Sequence, residues 1–126
     1  MKYLSLAISI DMGILLYFVA IILYVPLTII NTILVLSKYG WKFKTIDNYF
    51  YQTAVDIDRF ANRNFRTLWN ETLQRNGYQF GDERETVSSA LGKNKRDNTL
   101  TQTGKILCDI LDRLDENHCI KSIKEL

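Results

Sequence analysis

One histidine and two cysteines are all that this 126-residue chain offers a soft metal ion. Cys108, His118 and Cys119 fall short of the four well-spaced ligands zinc ordinarily takes. Two of them are adjacent and there is no C-x-x-C pair, so no metal site is expected. The same scarcity leaves a Cys–His nucleophile without a visible orienting residue. Gly92-Lys93 and Gly104-Lys105 look like the end of a phosphate-binding loop. Neither lysine is followed by Ser or Thr, and neither pair is preceded by the glycine that motif requires. The paired carboxylates Asp56/Asp58 and Asp112/Asp115/Glu116 read as solvated charge on helix surfaces. No cofactor and no enzymatic activity are expected.

Proline occurs once, at Pro26, and no stretch alternates polar and apolar residues at useful length, so an all-α fold is expected. A surplus of positive charge is also missing. Of the sixteen basic residues, Lys2, Lys38, Lys42 and Lys44 precede Thr45, and the remainder of the chain is close to neutral. That balance argues against a strongly basic nucleic-acid surface.

The sharpest absence is local: Met12 to Ser37 contains no charged side chain. As a helix, Met12 to Leu36 would reach roughly 37 Å, enough to cross a hydrocarbon core of about 30 Å with some tilt. A secretory signal has a shorter apolar region and a small-residue cleavage site, so the segment reads as an anchor. The alternative is a buried helix of a soluble protein. Lys38, Tyr39, Trp41, Lys42 and Lys44 follow the span in the mixture of cations and aromatic rings that a headgroup interface favours. Only Lys2 balances them on the N-terminal side, with Asp11 at the boundary. This bias puts the N-terminus outside and the C-terminal domain in the cytoplasm or virion interior. There both cysteines are expected to stay reduced. Pro26 is expected to kink the span, and Asn31 to mark a helix–helix contact. Residues 1–10 are expected to lie along the outer interface or on a partner. A single span without an intramembrane charge pair forms no pore except as an oligomer.

The expected organisation is therefore a membrane anchor over 1–44, with the span at about 12–36, and a small polar domain of about three helices over 45–126. Ile46, Phe50, Ala54, Ile57, Ala61, Phe65 and Leu68 recur at helical spacing. They predict one helix to about Arg75 whose apolar stripe packs on the rest of the domain. An interfacial helix is the alternative, suited by the arginines on the other face but weakened by Asp56 and Asp58. A second helix is expected over Glu83 to Leu91, capped by Asp82 and closed by Gly92. A charged loop from Lys93 to Asn98 and a third helix from Thr101 follow. Ile106, Leu107, Ile110, Leu111 and Leu114 form the third helix's apolar face. A helix-turn-helix is the specific rival: Thr86 to Leu91 has the texture of a recognition helix, and Lys93, Lys95 and Arg96 could reach phosphates. Asp109, Asp112, Asp115 and Glu116 on the next helix would repel DNA.

Three segments carry a family resemblance. Ile57 to Asn62, Glu85 to Lys93 and His118 to Ile123 together resemble a family of small uncharacterised proteins common in phage and prophage genomes. The positions that carry it are Asp58, Asn62, Glu85, Ser88, Ser89, Gly92, His118 and Cys119, within about Thr53 to Ile123. The family is usually shorter, and the long span is a departure from it. The resemblance implies a phage source rather than a mechanism. The expected role is a non-enzymatic, membrane-anchored phage protein, a minor virion-membrane or membrane-assembly component that binds other membrane or virion proteins. A holin-like lysis accessory and a membrane-tethered nucleic-acid-binding module are the alternatives.

Overall fold

A computed structural model describes the backbone from Lys2 and the side chains from Met12 onward. It is all-helical, with α1 (Lys2–Tyr39), α2 (Phe43–Asn64), α3 (Arg66–Thr72), α4 (Val87–Arg96), α5 (Gln102–Leu114) and α6 (His118–Lys121). No strand occurs among the described residues beyond an isolated bridge between Gln74 and Leu100. The chain divides into two compact units, residues 1–50 and 51–126.

In the first unit, α1 continues unbroken through Pro26. Its described part, Met12–Tyr39, is one helix long and apolar enough to cross a membrane, and none of its most apolar window is buried inside protein. A core helix of a soluble protein would bury that surface. The expectation for residues 1–10 lies outside the described side chains. Gly40, at a φ of +112°, turns the chain after α1 in a conformation that costs a side chain but not glycine. Beyond the turn, α2 folds back toward α1. Asn31 Nδ2 donates to Tyr49 Oη at 3.0 Å, and Leu36 is buried. Asn31 is thus a helix–helix contact within the chain. Lys38 and Tyr39 end α1, Trp41 and Lys42 lie in the connection, and Lys44 opens α2. Tyr39, Trp41 and Phe43 are all well exposed.

The second unit is built around α4, whose residues Val87 to Asn94 are all buried. Its apolar core is small, comprising Leu73, Phe80, Val87, Ala90, Leu91, Cys108 and Cys119, with Ala61, Trp69, Tyr78, Leu100, Leu107 and Leu111 packed against it. Buried polar groups are as numerous: Asn62, Gln74, Glu85, Ser88, Ser89, Lys93 and Asn94. Directional hydrogen bonds therefore carry much of the specificity that a larger domain would draw from apolar packing.

Several expectations need correcting. The helix expected to run to Arg75 breaks at Phe65 into α2 and α3. The helix expected over Glu83 to Leu91 starts at Val87, because Thr86 rather than Asp82 is its N-cap, with Oγ1 accepting from Ser89 N. Asp82 instead closes a turn by accepting from Arg84 N. Gly92 does not end that helix. It lies inside α4, where a Cβ would stand 2.0 Å from the carbonyl oxygen of Cys119, so glycine permits α6 to approach. The charged segment after it is the last turn of α4. The third helix starts where expected, at Gln102 with Thr101 as its N-cap through Gly104 N, while the single turn of α6 has no counterpart among the expected helices.

The orientation of α2 is the largest correction. Asn62 is fully buried, and Asp58 and Asn62 make the hydrogen bonds into the domain. Ile57 and Phe60 are 52% and 56% exposed, and Phe65 and Leu68 are also exposed. Of the predicted stripe, Ala61 packs on the core. A polar face was able to win because its side chains saturate the backbone groups of the 80–88 segment, which the apolar stripe cannot do.

Candidate functional site

The polar groups of the second unit converge on the start of α4. From α2, Asp58 accepts from Val87 N at 2.9 Å and from Ser88 Oγ at 2.8 Å, covering orphan donors at the N-terminus of α4. Ser88 Oγ is also 3.0 Å from His118 Nε2 on α6. His118 Nδ1 is 3.0 Å from Asp115 Oδ2, and Lys121 Nζ donates to Asp115 Oδ1 at 2.8 Å. Serine, histidine and aspartate stand in the order and at the spacing of a nucleophile, its base and the base's orienting group. Two features oppose that chemistry. Ser88 is only 4% exposed, and its single hydroxyl proton is shared with Asp58.

A second cluster lies around Glu85, Ser89 and Lys93. Glu85 accepts from Lys93 Nζ at 2.8 Å, from Ser89 Oγ at 2.6 Å and from Tyr78 Oη. The side chains of Lys93 and Glu85 are 3% and 0% exposed. The Lys93 ammonium also lies 4.3 Å from the centroid of the Tyr78 ring. Burial disfavours the ammonium, but hydrogen bonds and charge from Glu85 and Tyr78 outweigh it, so Lys93 titrates above its ordinary value. Burial, then the hydrogen bond to Glu85, pushes the Tyr78 phenol up. Around this pair, Asn62 Nδ2 donates to the carbonyls of Asp82 and Glu85 and its Oδ1 accepts from Gly81 N. Asn94 ties Tyr78 at both backbone groups and holds Thr99. The long connection from Leu73 to Thr86 is thereby fixed by amide side chains.

Cys108 and Cys119 are joined in a disulfide between α5 and α6, with Cα atoms 6.1 Å apart. The expectation of two separate thiols is corrected: the turn at Asn117 (φ +56°) folds α6 back and brings the second cysteine to the first, a separation disulfides commonly span. Asp112 sits beside them, its carboxylate oxygen and the two sulfurs lying within 4.8 Å of one another. In the disulfide the thiolates are spent. Asp112 is itself engaged, accepting from Cys119 N at 3.0 Å and Lys95 Nζ at 2.8 Å.

A third feature is a groove of about 580 Å³ lined by Asp56, Arg59, Phe60, Arg63, Asn64, Arg66 and Glu83. Arg63 pairs with Glu83 at 2.7 Å and Arg59 with Asp56 at 3.6 Å. Arg66 donates from Nη1 to the carbonyl of Arg63. Arg59 Nε is sealed from solvent without a partner.

Of the eight motif positions, Asp58, Glu85, Ser88, Ser89, Gly92, His118 and Cys119 lie on or against α4, and Asn62 holds the connection that leads into it. Of Lys93, Lys95 and Arg96, only Lys93 is withdrawn from the surface; the other two are exposed there in ion pairs. Lys93 is buried on Glu85, Lys95 pairs with Asp112, and Arg96 bonds to Asp97 and Glu125. Tyr78 and Asn94 did not emerge from the sequence, and Asp115 emerged only as solvated charge rather than as the partner of His118. The Glu85, Ser89, Lys93 spacing of four and four was a legible signal for one polar row on a helix. No family model, no curated protein and no solved structure matches the chain.

Proposed function

We propose that the chain is a non-enzymatic, membrane-anchored scaffold whose helical domain binds another protein. The observation that carries this reading is on α5. Ile106, Ile110 and Leu114 stand on its outer side, Leu114 80% exposed, while the polar groups around α4 are consumed by bonds within the domain. An exposed apolar row at helical spacing suits the groove or helix of a partner. The motif likeness makes a phage membrane or virion assembly the natural setting. The lysine bias beyond the span favours a domain on the cytoplasmic or virion-interior side. The nucleic-acid reading loses Lys93, which is buried on Glu85.

Photocrosslinking from position 110 of the full chain, expressed in its host, tests the proposal. A discrete heterologous adduct that disappears with Ile106→Asp is expected. Absence of any adduct, with the protein folded and in the membrane, would remove the scaffold reading. Adducts only between copies of the chain would favour the self-associating, holin-like alternative.

A further inference from the structure

We propose that the α2–α3 groove binds the phosphates of anionic phospholipids, giving the chain a second membrane contact beyond its span. The inference rests on reading α1 as that span. Four observations carry it.

First, α2 begins at Phe43, only a three-residue connection after α1 ends at Tyr39, so its start follows closely on the span in the chain. Second, the apolar arc of α2 is not used by the domain. Phe50, Ile57 and Phe60 are exposed on it, with Phe65 and Leu68 following in the chain. Third, arginines border that arc. Arg59, Arg63 and Arg66 share the groove with Phe60, and its two carboxylates, Asp56 and Glu83, are each already paired with an arginine. Arg66 has no carboxylate partner among the described residues, so the groove keeps one net positive charge. Apolar side chains edged by arginine are the composition that seats a helix at an anionic headgroup layer.

Fourth, the fold turns one of the two carboxylates that weakened this reading away from the outer face; the other, Asp56, stays exposed beside Arg59. Asp58 would repel headgroups if it lay on the outer face. Its carboxylate is turned into the domain instead, bonded to Val87 N and Ser88 Oγ. Guanidinium groups suit the site because their planar forks bind phosphate oxygens in pairs, and Phe60 offers an apolar wall beside them.

The test is amide hydrogen exchange of the full chain reconstituted in vesicles of phosphatidylcholine alone or with one-third phosphatidylglycerol. Exchange over residues 57–68 is expected to slow about fivefold or more in the anionic vesicles, the equivalent of about 1 kcal/mol for one basic residue at such a surface. Residues 102–114 are expected not to change. Arg66→Gln and, separately, Phe60→Ser should each reduce the difference, and 0.5 M salt should do so without any substitution. Equal exchange in the two lipids would overturn the proposal, as would a difference that survives both variants and salt. Protection reproduced by millimolar inorganic phosphate on phosphatidylcholine would assign a soluble anion instead of a lipid. Protection that grows with protein density in the bilayer would assign the face to a second copy. Neither result depends on whether α5 captures a protein, so failure here and failure of the scaffold reading are distinguishable.

Discussion

Ser88 Oγ on α4 lies 3.0 Å from His118 Nε2 on α6, thirty residues further along the chain. With Asp58 on one side and Asp115 on the other, the pair links α2, α4 and α6 in a single row of hydrogen bonds. Because Ser88 is sealed and doubly bonded, it should not behave as a nucleophile. A fluorophosphonate probe is expected to leave it unlabelled in the native chain. Ser88→Ala is expected to cost about 1–3 kcal/mol of stability, as a hydrogen bond to a charged group is lost. Stoichiometric labelling of Ser88 would instead indicate acyl-transfer chemistry.

The Lys93–Glu85 pair is the most heavily desolvated charge in the domain. Removing one partner strands the other, so Lys93→Met or Glu85→Gln should each destabilise by about 3–5 kcal/mol. The double variant should lose less than the sum, since the stranded charge disappears. Chemical denaturation of the three variants measures the coupling. Additive losses would mean that the pair is not a unit.

Stability should fall at alkaline pH for the same reason. Lys93 and Tyr78 both titrate above their ordinary values when folded. Groups with raised folded values stabilise below their unfolded values, about 10 for both, and lose that contribution as pH rises through the folded ones. Melting followed from pH 8 to pH 12 should show a decline beginning above about pH 10, and the double variant should lose the share due to Lys93 while keeping the share due to the buried Tyr78.

The acid side has the opposite sign. A hydrogen bond from Lys95 holds Asp112 below the usual carboxylate range, one from Lys121 does the same for Asp115, and Arg84 holds Asp82 down to about 2. Their contribution is complete above the unfolded value of about 4 and is lost as pH falls toward about 2. Asp112 holds both Cys119 N and Lys95, so α6 should release first, seen as early exchange of its amides between pH 4 and pH 2. Simultaneous loss of all helices would contradict this order.

The docking of α6 also makes two local changes informative. Gly92→Ala drives a Cβ into the Cys119 carbonyl and should cost about 1–3 kcal/mol through displacement of α6. The Cys108–Cys119 disulfide should be found open in cells if the domain faces the cytoplasm and intact if it faces an oxidising compartment. Alkylation on acid quench, read by mass spectrometry, distinguishes the cases. A bond intact at the moment of lysis would put the domain on the oxidising side of the membrane.

The sequence by itself determined the helical class, the apolar segment and its basic, aromatic edge. These depend on local composition and on a period that any helix must obey. It also determined α5, whose cap at Thr101 is a local signal. Only the tertiary structure decided which side of α2 faces the domain. Periodicity shows that two faces differ, but not that Asp58 and Asn62 would find backbone donors and carbonyls waiting twenty to thirty residues away. The meaning of Gly92 was equally out of reach, since the atom that forbids a side chain there belongs to Cys119. The motif residues were visible as letters in the sequence. That they gather in two bonded clusters and one close approach around α4, and leave the apolar arcs of α2 and α5 to face outward, follows from long-range contacts that no local window contains.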